Sequence, residues 1–137
     1  MTTRVLFLCT GNSARSQMAE GLLRELGGGR FEAHSAGTHP RSQVHPMAVR
    51  ALADEGIDIG GQAPKDLKTH DGERFDYVIT VCDRAKESCP VMPGAEMIHW
   101  SFPDPAEVAG EQEQAKAFRE TVVGLKRRIE LFVKATP

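Results

Sequence analysis

The stretch Val5-Leu6-Phe7-Leu8-Cys9-Thr10-Gly11-Asn12-Ser13-Ala14-Arg15-Ser16 decides how this chain is read. Val5 to Leu8 is an unbroken apolar run, which predicts a strand buried on both faces. Met18, Ala19, Leu22, Leu23 and Leu26 then fall on one stripe, predicting an amphipathic helix over Gln17 to Leu26. Between the two lies a loop of small residues. A strand, a tight loop and a helix start aim backbone N–H groups at one point, which makes an anion site. Cys9 ends the strand inside that positive field, so its thiol pKa is expected to be lowered. Arg15 can fold its guanidinium over the same point and grip two oxygens of a tetrahedral oxyanion. Ser16 can donate a hydrogen bond to the thiolate, Gly11 permits close backbone approach, and Asn12 tolerates a left-handed turn. A lone cysteine at a strand end is ordinarily a core residue. The full spacing of Cys9, Arg15 and Ser16 between strand and helix turns the reading toward chemistry. The candidate oxyanion-binding residues are Thr10, Gly11, Asn12, Ser13, Ala14, Arg15 and Ser16.

Working outward, Gly27-Gly28-Gly29 stops the first helix. A short alternation around Phe31 and Ala33 predicts a second strand over Arg30 to Ser35, with Ala36 to Pro40 turning away from it. Val44-His45-Pro46 opens a second helix with Ala48, Ala51 and Leu52 on its stripe, ended by Gly56. Gly60 to Pro64 is irregular, and Asp66 to His70 reads as a helical turn. Phe75 to Val81 is a third strand reaching Cys82. Asp83 to Ser88 is a short helix or loop, Pro90 and Pro93 frame a turn, and Glu96 to Trp100 is a fourth strand. The last helix covers Gln112 to Lys134, with Phe118, Val122, Leu125, Ile129 and Phe132 on one face and Glu111 to Gln114 as a solvated start.

Strands alternating with helices imply an α/β fold, with helices on both faces of a four-stranded parallel sheet in three layers. Ligands of such sheets bind beyond the carboxyl ends of the strands. Cys9, Cys82 and Asp104 all fall just beyond strand ends. Asp104 lies between Pro103 and Pro105, which stiffen its loop, so it is a candidate general acid, although a turn aspartate is ordinarily only a turn residue.

A chain of 137 residues reads as one domain over 1–137. Its net charge of −2 offers no bulk attraction to nucleic acid or an anionic membrane. No apolar run approaches the ~18 residues of a membrane span. Met1-Thr2-Thr3-Arg4 leads into a short strand rather than a signal peptide, so a cytoplasmic location is expected. Three cysteines are an odd number, which argues against a disulfide framework, and no zinc-ligand spacing is present. Cys82 and Cys89 stand seven residues apart. On a helix that separation is about 10.5 Å, whereas a disulfide needs Cα atoms within ~7 Å. Joining them would therefore require the polar segment Asp83 to Ser88 to unwind. Arg84 and Lys86 could help hold a thiolate there. Two readings stay open at this point: a pair of structural cysteines, or a relay with Cys9. The five histidines are read as structural or surface groups, with His39 at a pocket rim, and Trp100 as core or a loop anchor.

Cys9 to Glu20 resembles the signature of the low-molecular-weight phosphotyrosine phosphatase family, and in particular the thioredoxin-coupled arsenate reductases built on that fold. The similarity continues through Ser35-Ala36-Gly37, His45-Pro46, Gly56-Ile57-Asp58-Ile59, Val81-Cys82-Asp83, Cys89-Pro90 and His99 to Pro105. The resemblance implies that the Cys9 thiolate attacks arsenate held by the loop and Arg15, with Asp104 protonating the departing oxygen. It further implies that Cys82 resolves the adduct and that Cys89 then displaces Cys9, leaving a Cys82–Cys89 disulfide for thioredoxin. Glutaredoxin or mycothiol are alternative reductants. No bound cofactor is implied, phosphate and sulfate are expected analogues, and a monomer is expected. Ala14 stands where related loops often carry Cys. Some relatives hold a potassium ion near the loop; Asn12 and Glu20 match that pattern, while Gly60 to Pro64 departs from it. The rival activity is a phosphotyrosine phosphatase, disfavoured because Ala106 and Glu107 follow Asp104-Pro105 where such enzymes carry tyrosine. A third reading is a non-catalytic oxyanion or redox sensor.

Overall fold

The first strand is longer than its apolar run. In the computed structural model, which describes residues 2–82, 92 and 94–137, β1 covers Thr3–Cys9. From Val5 onward every residue of β1 is buried, as a central parallel strand requires. β2 (Phe31–Gly37) pairs with it in parallel from Thr3↔Phe31 to Cys9↔Gly37. Ala36 and Gly37 thus belong to the strand and do not turn away, because pairing with Leu8 and Cys9 holds them extended. β3 (Tyr77–Thr80) lies on the other side of β1, and β4 (Glu96–His99) lies beyond β3. The sheet order is β2-β1-β3-β4, all parallel.

Three α-helices occur among the described residues: α1 (Arg15–Leu26), α2 (Pro46–Ala53) and α3 (Glu111–Ala135). They pack on one another, and α1 also packs on β1 and β2. The α3 stripe Phe118, Val122, Leu125, Ile129 and Phe132 is buried as its spacing demands. Phe132 reaches Phe31, Tyr77 and Trp100, which places Trp100 in the core. The opposite sheet face carries His34. It is covered by His70, from the 3-10 turn Leu67–His70, and by Phe75. The sheet is thus the middle of three layers, as expected for this α/β fold. Gln114 departs from the solvated helix start: its amide donates to the carbonyls of Ala106 and Val108 and ties α3 to the Asp104 loop. No helix among the described residues is long and apolar enough to cross a membrane.

The topology positions the site. After β1 the chain builds outward to β2, then crosses back to add β3 on the other side of β1. Connections leave β1 and β3 in opposite directions, which opens a crevice between their carboxyl ends. β1 ends at Cys9, and Cys82 lies two residues past β3.

Candidate active site

The loop after β1 is shaped by where its carbonyls go. Those of Cys9, Thr10, Gly11 and Ser13 accept from the backbone N–H groups of Thr38, His39, Arg41 and His45. The Asn12 carbonyl accepts from the Gln17 amide. None of the peptides in this loop is cis. In a trans peptide the N–H points away from the carbonyl it is bonded to. Turning five consecutive carbonyls outward therefore turns the N–H groups of Thr10, Gly11, Asn12, Ser13 and Ala14 inward. The Asn12 N–H donates to Cys9 Sγ at 3.2 Å, which marks their common target. Asn12 adopts φ 46°, the left-handed turn expected of it. A still closer approach falls on Gly37 of β2: a Cβ there would stand 2.6 Å from the Thr10 carbonyl oxygen.

Cys9, Thr10, Gly11, Ser13, Ala14 and Arg15 line a cleft of about 720 Å³ together with Cys82 and Asp104. Asn12 and Ser16 are fully buried and support the loop from behind. Ser16 Oγ lies 2.8 Å from Cys9 Sγ, and the Asn12 side-chain amide donates to that same hydroxyl oxygen. With Asn12 donating to its oxygen, the Ser16 hydroxyl is oriented to donate to sulfur.

The net electrostatic outcome at Cys9 corrects the expectation of a lowered pKa. Burial is the strongest influence and pushes the thiol up; the Ser16 hydrogen bonds pull it down, the neighbouring Cys82 adds a smaller upward push, and Arg15 a smaller downward pull. The net direction is up, because Cys9 is only 2% exposed. The donors foreseen from the sequence are present, but desolvation of the thiolate outweighs them.

Arg15 and Asp104 face each other across the cleft mouth. Arg15 Nη1 donates to the Phe102 carbonyl at 2.9 Å, and Nη2 lies 3.6 Å from Asp104 Oδ2. Asp104 Oδ1 accepts from the Ala106 N–H and caps the turn Pro105–Glu107, which leaves Oδ2 toward the cleft. Cys82 is buried, and its sulfur lies 3.5 Å from Thr10 Oγ1. The two described cysteines therefore share one cavity wall. Cys89, Asp83, Arg84, Lys86, Pro90 and Pro93 lie outside the described residues.

Two cleft residues were not among the candidate site residues. Arg41 lies across Gly11, its side chain 3.1–3.3 Å from where a Gly11 Cβ would stand. His45, read as structural, both caps α2 and lines the cleft: Nδ1 accepts from the Met47 N–H, and its ring packs on Phe118. Burial lowers its pKa, with Arg41 adding to the fall and Asp104 opposing it, so the ring is neutral near pH 7 with its proton on Nε2. The one signal for His45 was a histidine before a helix-opening proline. His39 lines the rim as read.

Behind the loop, the groups that match a potassium site are already engaged. Asn12 Oδ1 accepts from Gln17 Nε2 at 3.0 Å and from the Lys65 N–H at 2.8 Å, which uses both its lone pairs. Glu20 accepts from the Ser35 hydroxyl and from Arg24, both at 2.6 Å, and faces Lys65 Nζ at 3.6 Å. This arrangement does not fit a potassium ion.

Comparison with known proteins agrees with this geometry. The chain matches the low molecular weight phosphotyrosine protein phosphatase family over residues 4–136. It is 39% identical over 132 residues to an arsenate reductase of Halalkalibacterium halodurans, covering 95% of this chain and 94% of the relative. Among solved structures, an arsenate reductase in the phosphate binding state superposes with a TM-score of 0.81 at 30% identity, covering 99% of this chain and all of that one. A Corynebacterium glutamicum thioredoxin-dependent arsenate reductase superposes with a TM-score of 0.70 at 32% identity, covering 96% of this chain and 63% of that one. Fold, loop and sequence thus converge, and the chain belongs to the low molecular weight phosphotyrosine protein phosphatase family.

Proposed function

We propose that this protein reduces arsenate to arsenite through Cys9, Cys82 and Cys89, with thioredoxin returning the electrons. The observation that carries this reading is the second thiol: Cys82 is buried in the wall of the Cys9 cleft, its sulfur 3.5 Å from the Thr10 hydroxyl of the anion loop. A phosphatase needs no sulfur there. The arsenate reductases among the relatives add support, as does the thioredoxin dependence of the Corynebacterium glutamicum neighbour.

In the first step Cys9 sulfur bonds to arsenic and one As–O bond breaks. The thiol proton and the departing hydroxyl end together as water, with Asp104 handing over the proton. The inward N–H groups and Arg15 hold the remaining oxygens. In the second step the Cys82 thiolate attacks Cys9 sulfur. The S–As bonding pair stays on arsenic, which falls from the pentavalent to the trivalent state and leaves as arsenite, taking protons from water. Cys9 and Cys82 are now a disulfide. Cys89 thiolate then attacks Cys82 sulfur and frees Cys9, and the thioredoxin dithiol reduces the Cys82–Cys89 bond by the same exchange.

The test is arsenate-dependent NADPH oxidation with thioredoxin and its reductase, for wild type and for Cys9→Ser, Cys82→Ser and Cys89→Ser. All three variants should lose turnover, and only Cys9→Ser should also lose hydrolysis of a small aryl phosphate. Normal arsenate turnover by both Cys82→Ser and Cys89→Ser would remove the relay and favour the phosphatase reading. Thiol oxidation with no turnover on either substrate would make the protein a sensor.

A further inference from the structure

The anion loop rests on a buried carboxylate. Glu20 is 4% exposed on the second turn of α1, four residues after Ser16. Burying it as an anion is costly unless positive charge accompanies it. Lys65 Nζ is held between the Ala63 carbonyl at 2.9 Å and Glu20 Oε1 at 3.6 Å, and Arg24 Nη2 sits on the other carboxylate oxygen. The lysine backbone is tied to the same place. Its N–H donates to Asn12 Oδ1, and its carbonyl accepts from the Gly37 N–H, the residue against which the loop packs. The Gln17 side-chain amide completes the connection, donating to Asn12 and to the Ala63 carbonyl. Lys65 therefore touches the carboxylate through its ammonium and the loop residue Asn12 through its main chain.

We infer that Lys65 is the resident cation of this loop, a positioning residue whose ammonium occupies the place a potassium ion would take and makes the loop independent of one. The inference rests on the oxyanion-binding half of the proposed function and not on the sulfur relay. Its consequence is a loop locked by a covalently attached charge, so the anion site keeps its shape whatever monovalent ion the solution supplies. Arg24 cannot replace it, since it reaches Glu20 from along α1, with its other nitrogen on Gln62, and does not touch Asn12.

The test uses the intact protein, with thermal melting and inorganic phosphate binding as readouts. Melting is followed at about 100 mM potassium, sodium or choline chloride, salts of equal ionic strength and hence equal screening. The wild-type melting temperature should be the same in all three. Lys65→Met should melt about 3 °C lower and bind phosphate about fivefold more weakly, equivalent to about 1 kcal/mol. Lys65→Arg should restore most of both. In a Glu20→Gln background the Lys65→Met change should add nothing, since its partner is gone. A wild type stabilised by potassium over choline would overturn the inference without any variant being needed. Equal and additive losses from Lys65→Met with and without Glu20 would also overturn it. Phosphate binding that behaves as described in a protein that cannot reduce arsenate would leave this inference standing and remove the relay.

Discussion

On the proposed function, Cys9 is a nucleophile held in reserve. Burial pushes its thiol pKa up, while Ser16 Oγ at 2.8 Å and the Asn12 N–H at 3.2 Å favour the anion. A thiol with a raised pKa alkylates slowly at neutral pH and faster as pH climbs. Removing a donor that favours the thiolate must raise the pKa further. In a Cys82→Ser, Cys89→Ser background, the pH profile of iodoacetamide labelling at Cys9 should lie above that of an ordinary thiol, and Ser16→Ala should move it higher still. A profile below the ordinary thiol range would show that the loop's N–H groups outweigh burial. Arg41 is a second residue-scale case, since it lies over Gly11 at the open side of the cleft. Arg41→Ala should raise KM for arsenate about three- to tenfold with kcat little changed, the pattern of lost ground-state binding.

Among the elements, β2 does the least expected work. Its pairing runs through Gly37, and the missing side chain there lets the loop carbonyl of Thr10 come within contact. Gly37→Ala should destabilise the fold by about 2 kcal/mol and weaken phosphate binding, read by urea unfolding and calorimetry on the same sample. This is also where the sequence was least legible. The Val5 to Leu8 run and the α3 stripe announce themselves, because a buried strand and a one-faced helix each need an unbroken local pattern. Gly37 carries no pattern, since its role is set by a residue far back along the chain, Thr10. Glu20, buried on the apolar side of α1, likewise acquires its partners Ser35 and Lys65 only when β2 and the following segment fold over it. The donors around Cys9 could be read from loop chemistry, but the sign of its pKa could not, since that depends on how deeply the whole chain covers the sulfur.

For the molecule as a whole, opposite ends of the sheet do opposite jobs. The carboxyl end holds the cleft. The amino end holds a charge network in which Arg4 pairs with Glu32 at 2.6 Å and Glu73 at 2.8 Å, and His34 and His70 bond to the same two carboxylates. The Arg4 hydrogen bond is the leading cause that lowers each glutamate pKa. A carboxyl held lower in the folded state than in the unfolded one contributes stability above the unfolded value, near ~4.3. That contribution fades as pH falls through the folded pKa. Unfolding free energy should therefore decline from about pH 5 downward, and Arg4→Met should flatten that decline. Identical acid profiles for the two proteins would mean that the network adds nothing at this exposure.

The five outward carbonyls of the loop have one more consequence. Because they are spent on neighbouring donors, the bowl they leave behind is the same for any four-oxygen guest, whether its centre is phosphorus, sulfur or arsenic. Shape alone cannot tell such guests apart. Under the proposed relay, what can is the central atom's willingness to keep an electron pair when a second sulfur arrives, so discrimination would be decided after capture, by chemistry, and not at the door.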